Sequence, residues 1–261
     1  MSAVNIKFNN YSLQDTSVDS AQRLTTNIIY NQLPDKVINL KHDSIRDSFR
    51  VVDVQYTQKI IAIDGWLISD TGDHLKDLID TFKKNLRGNE GNLDIETYGG
   101  SGIYRRWIST VQSILVPEEH WQINQKPFSC EFLCSPYATA TSSESESYNN
   151  ITTTPYEDTI TITKGSYRPK AKISFHVDNT TLTLIRFEND TTSDWIQVET
   201  SFSAGDDLVI DCDAETVELN DVAQDFSGVF PMLEMGANDF KVIQTGTKGI
   251  DLTIEWWPRF L

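Results

Sequence analysis

Residues 128–134 read FSCEFLC: Phe128, Cys130, Phe132 and Cys134 fall on one parity, Ser129 and Glu131 on the other, and Leu133 is the single exception. A period of two belongs to a half-buried strand. Proline offers no amide hydrogen to a ladder and restricts the residue before it, so the strand ends at Ser135-Pro136-Tyr137. At about 3.3 Å of rise per residue, Cys130 and Cys134 stand about 13 Å apart on one face. That is too far for a disulfide, or for one zinc ion to take both thiolates. Both cysteines are expected in the core.

Elsewhere in the first half, FRVVDVQY (49–56), KIIAIDGWLIS, NLDIETYG, IYRRWISTVQSILVP and WQINQKPFSCEFLC read as strands, while the polar stretch from Asn9 to Lys36 receives no assignment. One segment has helical spacing. Leu75, Leu78, Ile79, Phe82 and Leu86 line one face of a helix expected over about 71–87. Asp70 or Thr71 caps its start, Asp73 and Asp77 suit the positive end, and Lys83, Lys84 and Arg87 suit the negative end, with Gly88 as the stop.

The second half repeats short alternating runs: TITIT, AKISFHV, TLTLIRFE, DWIQVE, DLVIDC, TVELN, DFKVIQ and GIDLTIEWW, with Gly, Asn and Asp between them. In the last run Ile250, Leu252, Ile254 and Trp256 share a face. The spacing predicts an antiparallel β-sandwich or jelly roll. Between the halves, ATATSSESESYNNITTTPYED holds little to bury and reads as a surface linker. The organisation expected is therefore a domain over 1–138, a linker over 139–156 and a second domain over 157–261. The whole is mainly β, with one helix making the first domain α+β.

Charge and composition narrow the function. The net charge is −16, and most of it lies after residue 138. A surface of that sign disfavours a nucleic-acid backbone as the principal ligand. No apolar run approaches the ~18 residues of a spanning helix, and MSAVNIKFNN lacks the features of a secretory signal, so synthesis in a reducing cytoplasm is expected. Three cysteines are too few for a disulfide framework and are read as reduced.

Catalytic spacing is not found. There is no Walker A, dinucleotide-binding or nucleophile-elbow motif, and GGSG at 99–102 precedes a strand, so it reads as a turn. His42, His74, His120 and His176 are scattered without metal-ligand spacing. Asp211, Asp213 and Glu215 alternate as oxygen ligands for calcium could, but Asp-Cys-Asp-Ala-Glu between two alternating strands also reads as a hairpin turn, the stronger reading. Trp195, Trp257 and Tyr167 are candidates for stacking on a sugar, against the plainer reading of a subunit contact or a ring under a loop. The sequons at Asn10, Asn150, Asn179 and Asn189 carry no weight without a secretory route.

The order of IDGWLIS, HLKDLIDTFKKNLRG, NLDIETYG, IYRRWISTV and FSCEFLCSPY resembles the N-terminal domain of siphophage distal tail proteins. GDDLVIDCDAETVELN and GVFPMLEMGANDFKV are similar to that family's closing pattern, here Gly205, Asp206, Ile210, Asp211, Leu233, Gly236 and Asn238, with Met235 where a proline is usual. The resemblance covers roughly 50–138 and 200–261. It implies a split-barrel-like first domain with one helix, followed by a galectin-like or carbohydrate-module-like sandwich. It further implies a structural role in the virion, as a hexameric ring joining the tail tube protein to the trimeric hub around the DNA channel. Receptor-binding proteins or a host glycan are further partners in that picture. No catalytic residue, metal ligand or cofactor follows from it, so the chain is expected not to be an enzyme. A lectin-like protein recognising a host glycan is the alternative, and a glycan-cleaving enzyme, which needs paired carboxylates, has no residues singled out for it. If the acidic second domain repels anionic cell surfaces, neutralising Asp206, Asp207, Asp213 and Glu215 is expected to increase nonspecific adsorption.

Overall fold

The computed structural model describes residues 5–17, 20–30, 36–43, 48–88, 90–97, 103–117, 124–178, 182–247 and 249–261; for 36–55 it describes the backbone alone. GGSG at 99–102, His120 and Asn179, and the side chain of His42, lie outside the described residues. The chain divides into two compact units, Met1–Thr141 together with Leu261, and Ser142–Phe260.

The first unit holds β1 (Ile6–Phe8), β2 (Tyr11–Ser12), β3 (Gln22–Tyr30), β4 (Lys36–Asp43), β5 (Ser48–Tyr56), β6 (Lys59–Ile68), α1 (Gly72–Leu86), β7 (Gly91–Glu96), β8 (Tyr104–Leu115), β9 (Gln125–Cys134) and β10 (Ala138–Ala140). Seven strands run in the order β2-β1-β7-β8-β9-β6-β3, β10 pairs with β8, and β4 and β5 form a separate two-stranded ribbon. Among the described residues the two ends of this order, β2 and β3, do not pair with each other, so the sheet is open and not a closed barrel. Strand β3 lies in the stretch left unassigned above. Its polar residues are tolerated because an edge strand is held largely by its backbone, here paired along β6 and, at Arg23, with Asp15.

Alternation along β9 buries Phe128, Cys130, Phe132 and Cys134, and helix α1 buries Leu75, Leu78, Phe82 and Leu86. Phe82 meets Phe128 with ring centroids 4.8 Å apart, which seats the helix on this face of the sheet. Each such ring withdrawn from water contributes about 1.5–3 kcal/mol. Thr71 is the N-cap and accepts from the His74 amide at 3.2 Å, while Asp70 takes the His74 ring instead. The helix stops because Arg87 turns extended, its amide donating to the Lys83 carbonyl; Gly88 is not left-handed.

The second unit is a sandwich of two antiparallel sheets. One has the order β11 (Glu144–Ile151), β21 (Ile250–Trp256), β13 (Ala171–Val177), β16 (Asp207–Asp211), β17 (Thr216–Leu219), β18 (Val222–Ala223). The other runs β12 (Tyr156–Ile162), β20 (Gly236–Gly246), β14 (Leu182–Asn189), β15 (Asp194–Phe202), β19 (Ser227–Gly228). Between them lie Ile173, Phe175, Leu252, Ile254, Ile185, Phe187, Phe240 and Val242, all buried, with Phe187 stacked on Phe240 at 5.5 Å. Most of the stretch expected as a linker is structured: its Glu144–Ile151 is β11, paired along β21 from Glu144↔Trp256 to Ile151↔Ile250. Ser, Glu and Asn occur there because β11 stands at a sheet edge, where backbone pairing suffices and the outer side is wet.

Candidate functional site

The motif residues that carry the family resemblance turn out to maintain the fold. Gly205 sits at a φ of 88°, a left-handed position that glycine takes without strain, and donates to the Val177 carbonyl at 2.7 Å. The Asp206 carboxylate accepts from the Ser203 amide at 2.7 Å and from the Asn220 side chain at 2.8 Å; these two donors hold its carboxyl below the usual carboxylate range. Asn238 is fully buried. Its carbonyl oxygen accepts from the Glu234 amide at 2.7 Å, and its NH2 donates to the Glu234 carbonyl at 2.9 Å and the Gly236 carbonyl at 3.1 Å. Leu233 is buried beside this staple, and Ile210 faces the core.

The Asp211–Glu215 segment is a hairpin turn. Asp211 pairs with Thr216, its Oδ1 accepts from the amides of Asp213 and Ala214 at 2.9 Å, and Glu215 adopts a φ of 57°. Asp213 is paired with Arg259 at 2.8 Å, and Lys170 lies 3.7 Å from both Asp213 and Glu215. Asp207 pairs with His176 at 2.6 Å. All four carboxylates proposed for neutralisation, Asp206, Asp207, Asp213 and Glu215, are thus engaged within the domain, and removing them would disturb local contacts as well as the charge.

The three candidate sugar-stacking rings are not brought together. Trp195 is on β15 of one sheet, Trp257 follows β21 of the other, and Tyr167 lies in the β12–β13 connection, bridged to Arg259. Trp195 is not an open platform: the Arg186 guanidinium lies 4.2 Å over its ring, and Arg186 is in turn paired with Glu188. At Gly228, a Cβ would come within 2.8 Å of the same ring. A shallow pocket lined by Arg186, Glu188, Asp190, Asp194 and Trp195 remains beside it. Of the sequons, Asn189 is fully buried and bonded to Met232 and Asn238, so it is inaccessible to a glycan.

On the sheet face opposite the helix the first domain exposes apolar side chains among polar ones such as Ser113 and Glu131. Ile29 pairs with Ala62, which pairs with Glu131, and Leu115 pairs with Ser129; Ile108 shares the parity of Thr110, the partner of Leu133. This parity puts Ile29, Ile108 and Leu115 on the sheet face opposite the helix. They are 40%, 55% and 61% exposed. The nine-residue edge of β3 lies alongside. Sequence periodicity assigned β8 but neither β3 nor this surface, because each of these residues alone reads as an ordinary strand residue.

Residues 164–260 match the model of a family described as the siphovirus-type tail component, C-terminal domain. The match falls within the second domain and makes it similar to that tail-component family. The matched residues are the sandwich whose turns and staple carry the sequence resemblance, and the distal-tail resemblance stands on that match. Over the whole chain the fold is like that of SPP1 Dit, described as a paradigm of the hub adsorption apparatus in phages infecting Gram-positive bacteria. The two share 12% identity with a TM-score of 0.71, covering 99% of this chain and 100% of SPP1 Dit. Two structures of the phage P2 baseplate in its activated conformation, with calcium and with strontium, match at 9% and 10% identity. Each covers 98% of both chains, with a TM-score of 0.43. No curated protein sequence matches the chain. No helix among the described residues is long and apolar enough to cross a membrane.

Proposed function

We propose that this chain is a structural, non-enzymatic component of a siphophage tail tip, and that six copies close into a ring joining the tail tube to the tip hub around the DNA channel. The observation that carries the reading is the family match over 164–260, on a chain whose fold is like SPP1 Dit from end to end. The first domain supplies a physical means. A ring of identical subunits needs a heterologous interface whose rotation closes, and a sheet face with exposed apolar side chains beside an edge strand suits one. Ile29, Ile108 and Leu115 would be buried there.

The alternative, recognition of a host glycan through Trp195, would require the ring to exchange Arg186 for a sugar. Nothing in the pocket favours that exchange. Light scattering on the full-length protein, with negative-stain images of the same sample, tests the ring: a mass near six times 29.6 kDa and a central hole are expected. A particle of another stoichiometry, or a chain that stays monomeric when its tail neighbours are added, would sink it.

A further inference from the structure

The two sides of the sandwich are dressed differently. On one side the sheets end in β11 and β12, whose exposed residues, Ser145, Glu146, Ser147, Asn149, Asn150, Glu157, Asp158, Thr159 and Thr161, are all polar. Such polar edges keep other chains away. On the other side the sheets end in β18 and β19, two-residue strands joined by Gln224, Asp225 and Phe226, so a single short segment finishes both sheets. Here Val222, Phe226 and Val229 are 61%, 41% and 54% exposed.

This segment is held in place. The Val229 amide donates to the Trp195 carbonyl at 2.8 Å and the Gln224 amide to the Val217 carbonyl at 2.9 Å. Gly228, at a φ of 100°, sits so close to Trp195 that a Cβ would meet the Trp195 carbonyl oxygen at 2.2 Å. Phe226 and Phe230 support each other with centroids 5.0 Å apart. Apolar side chains fixed in this way lose little conformational entropy on binding, which favours a protein partner.

The charge around them identifies its chemistry. In sequence, residues 187–240 carry 14 Asp and Glu and no Lys, Arg or His, and the Arg186 guanidinium over the neighbouring Trp195 ring is paired with Glu188. Glu218, Asp221 and Asp225 belong to the segment itself or its paired strand. A surface of this sign disfavours phosphate-bearing partners, whether membrane or nucleic acid, and is complementary to a basic one.

We infer that the β18–β19 edge is a docking surface for a different protein of the tail, one that presents an apolar pocket rimmed by Lys and Arg, with Val222, Phe226 and Val229 as anchors and Asp221 and Asp225 as rim. The inference rests on the tail-component reading but not on ring formation, and it concerns a surface of the second domain that the ring does not require.

The test replaces Phe226 with benzoylphenylalanine in the protein made by the phage that encodes it, irradiates purified particles and identifies the cross-linked peptide by mass spectrometry. The same replacement at Ser145, on the polar side, is the control. A cross-link from position 226, and none from 145, to a Lys- or Arg-bearing segment of a different tail protein is expected. Combining Asp221→Lys and Asp225→Lys in the same chain should lower its yield at least tenfold, while the purified variant keeps its far-ultraviolet circular dichroism. Particles that contain the chain but give no cross-link from 226, or give one to a second copy of it, overturn the docking surface alone. Particles that lack the chain overturn the tail reading and this inference with it.

Discussion

The ring of Phe128 lies over Gly65, its cross-strand partner between β9 and β6, so closely that a Cβ on Gly65 would come within 2.6 Å of the ring and 2.4 Å of the Leu24 carbonyl oxygen. The glycine of IDGWLIS and the phenylalanine of FSCEFLC, two motifs of the distal-tail resemblance, are thus one packing unit. Glycine is needed because neighbouring backbone and ring occupy the space a side chain would take.

Gly65→Ala is therefore expected to destabilise the first domain by about 1–3 kcal/mol, the range for overpacking a well-filled core. Urea denaturation followed by tryptophan fluorescence measures it. Shortening Phe128 in the same chain should not restore stability, since the Leu24 carbonyl is main chain and has less room to yield. An unchanged midpoint in Gly65→Ala would show that β3 can move away from β6.

In the second domain Asn189 donates to Asn238 at 3.3 Å and to the Met232 carbonyl at 2.6 Å, and both asparagines are fully buried. Asn238→Ala leaves the Glu234 amide and carbonyl without their side-chain partner, at a cost of about 1–3 kcal/mol. Asn238→Asp keeps the shape but replaces two donated bonds with a carboxylate in the core, so its loss should be at least as large and should grow from pH 4 to pH 8 as the introduced group ionises. Denaturation midpoints at the two pH values decide this. An Asn238→Asp variant as stable as the parent at both would count against the staple.

Burial pushes the Cys130, Cys134 and Cys212 thiols each up to about 12. The thiolate is the reactive form, so a disulfide reagent at pH 8 should label none of the three in the folded protein and all three in guanidinium. Rapid labelling of the folded chain would place a cysteine at the surface and refute its core position.

His176 bonds to Asp207 through Nδ1 at 2.6 Å, and this bond, with the charges of Asp207, Asp178 and Asp251, raises its pKa above the ordinary 6.5. A histidine with a raised folded pKa contributes stability that is fully present below 6.5 and is lost as pH rises through the folded value. The stability difference between the parent and His176→Gln should thus be larger at pH 5.5 than at pH 8.5. Urea midpoints at both pH values test the sign; a difference that widens at high pH would contradict it.

Local pattern alone settled much of this protein. The period of two placed β6, β9, β13 and β21 and turned Cys130 and Cys134 inward, and the 3.6 period placed α1 within a residue or two, because which side of a strand or helix is apolar is written in consecutive residues. Charge counting likewise located the acidic half. Tertiary structure decided what depends on distant pairing. It made edge strands of 22–30 and 144–151, stretches without a clear period of two, paired along the backbone of β6 and β21. It joined Asn189 to Asn238 across 49 residues and seated Phe128 on Gly65 across 63. It also finished both sheets of the sandwich with one segment, leaving Val222, Phe226 and Val229 in water. A hydrophobic residue is core or contact surface according to whether another strand stands beyond it, and strand order is set by the whole fold.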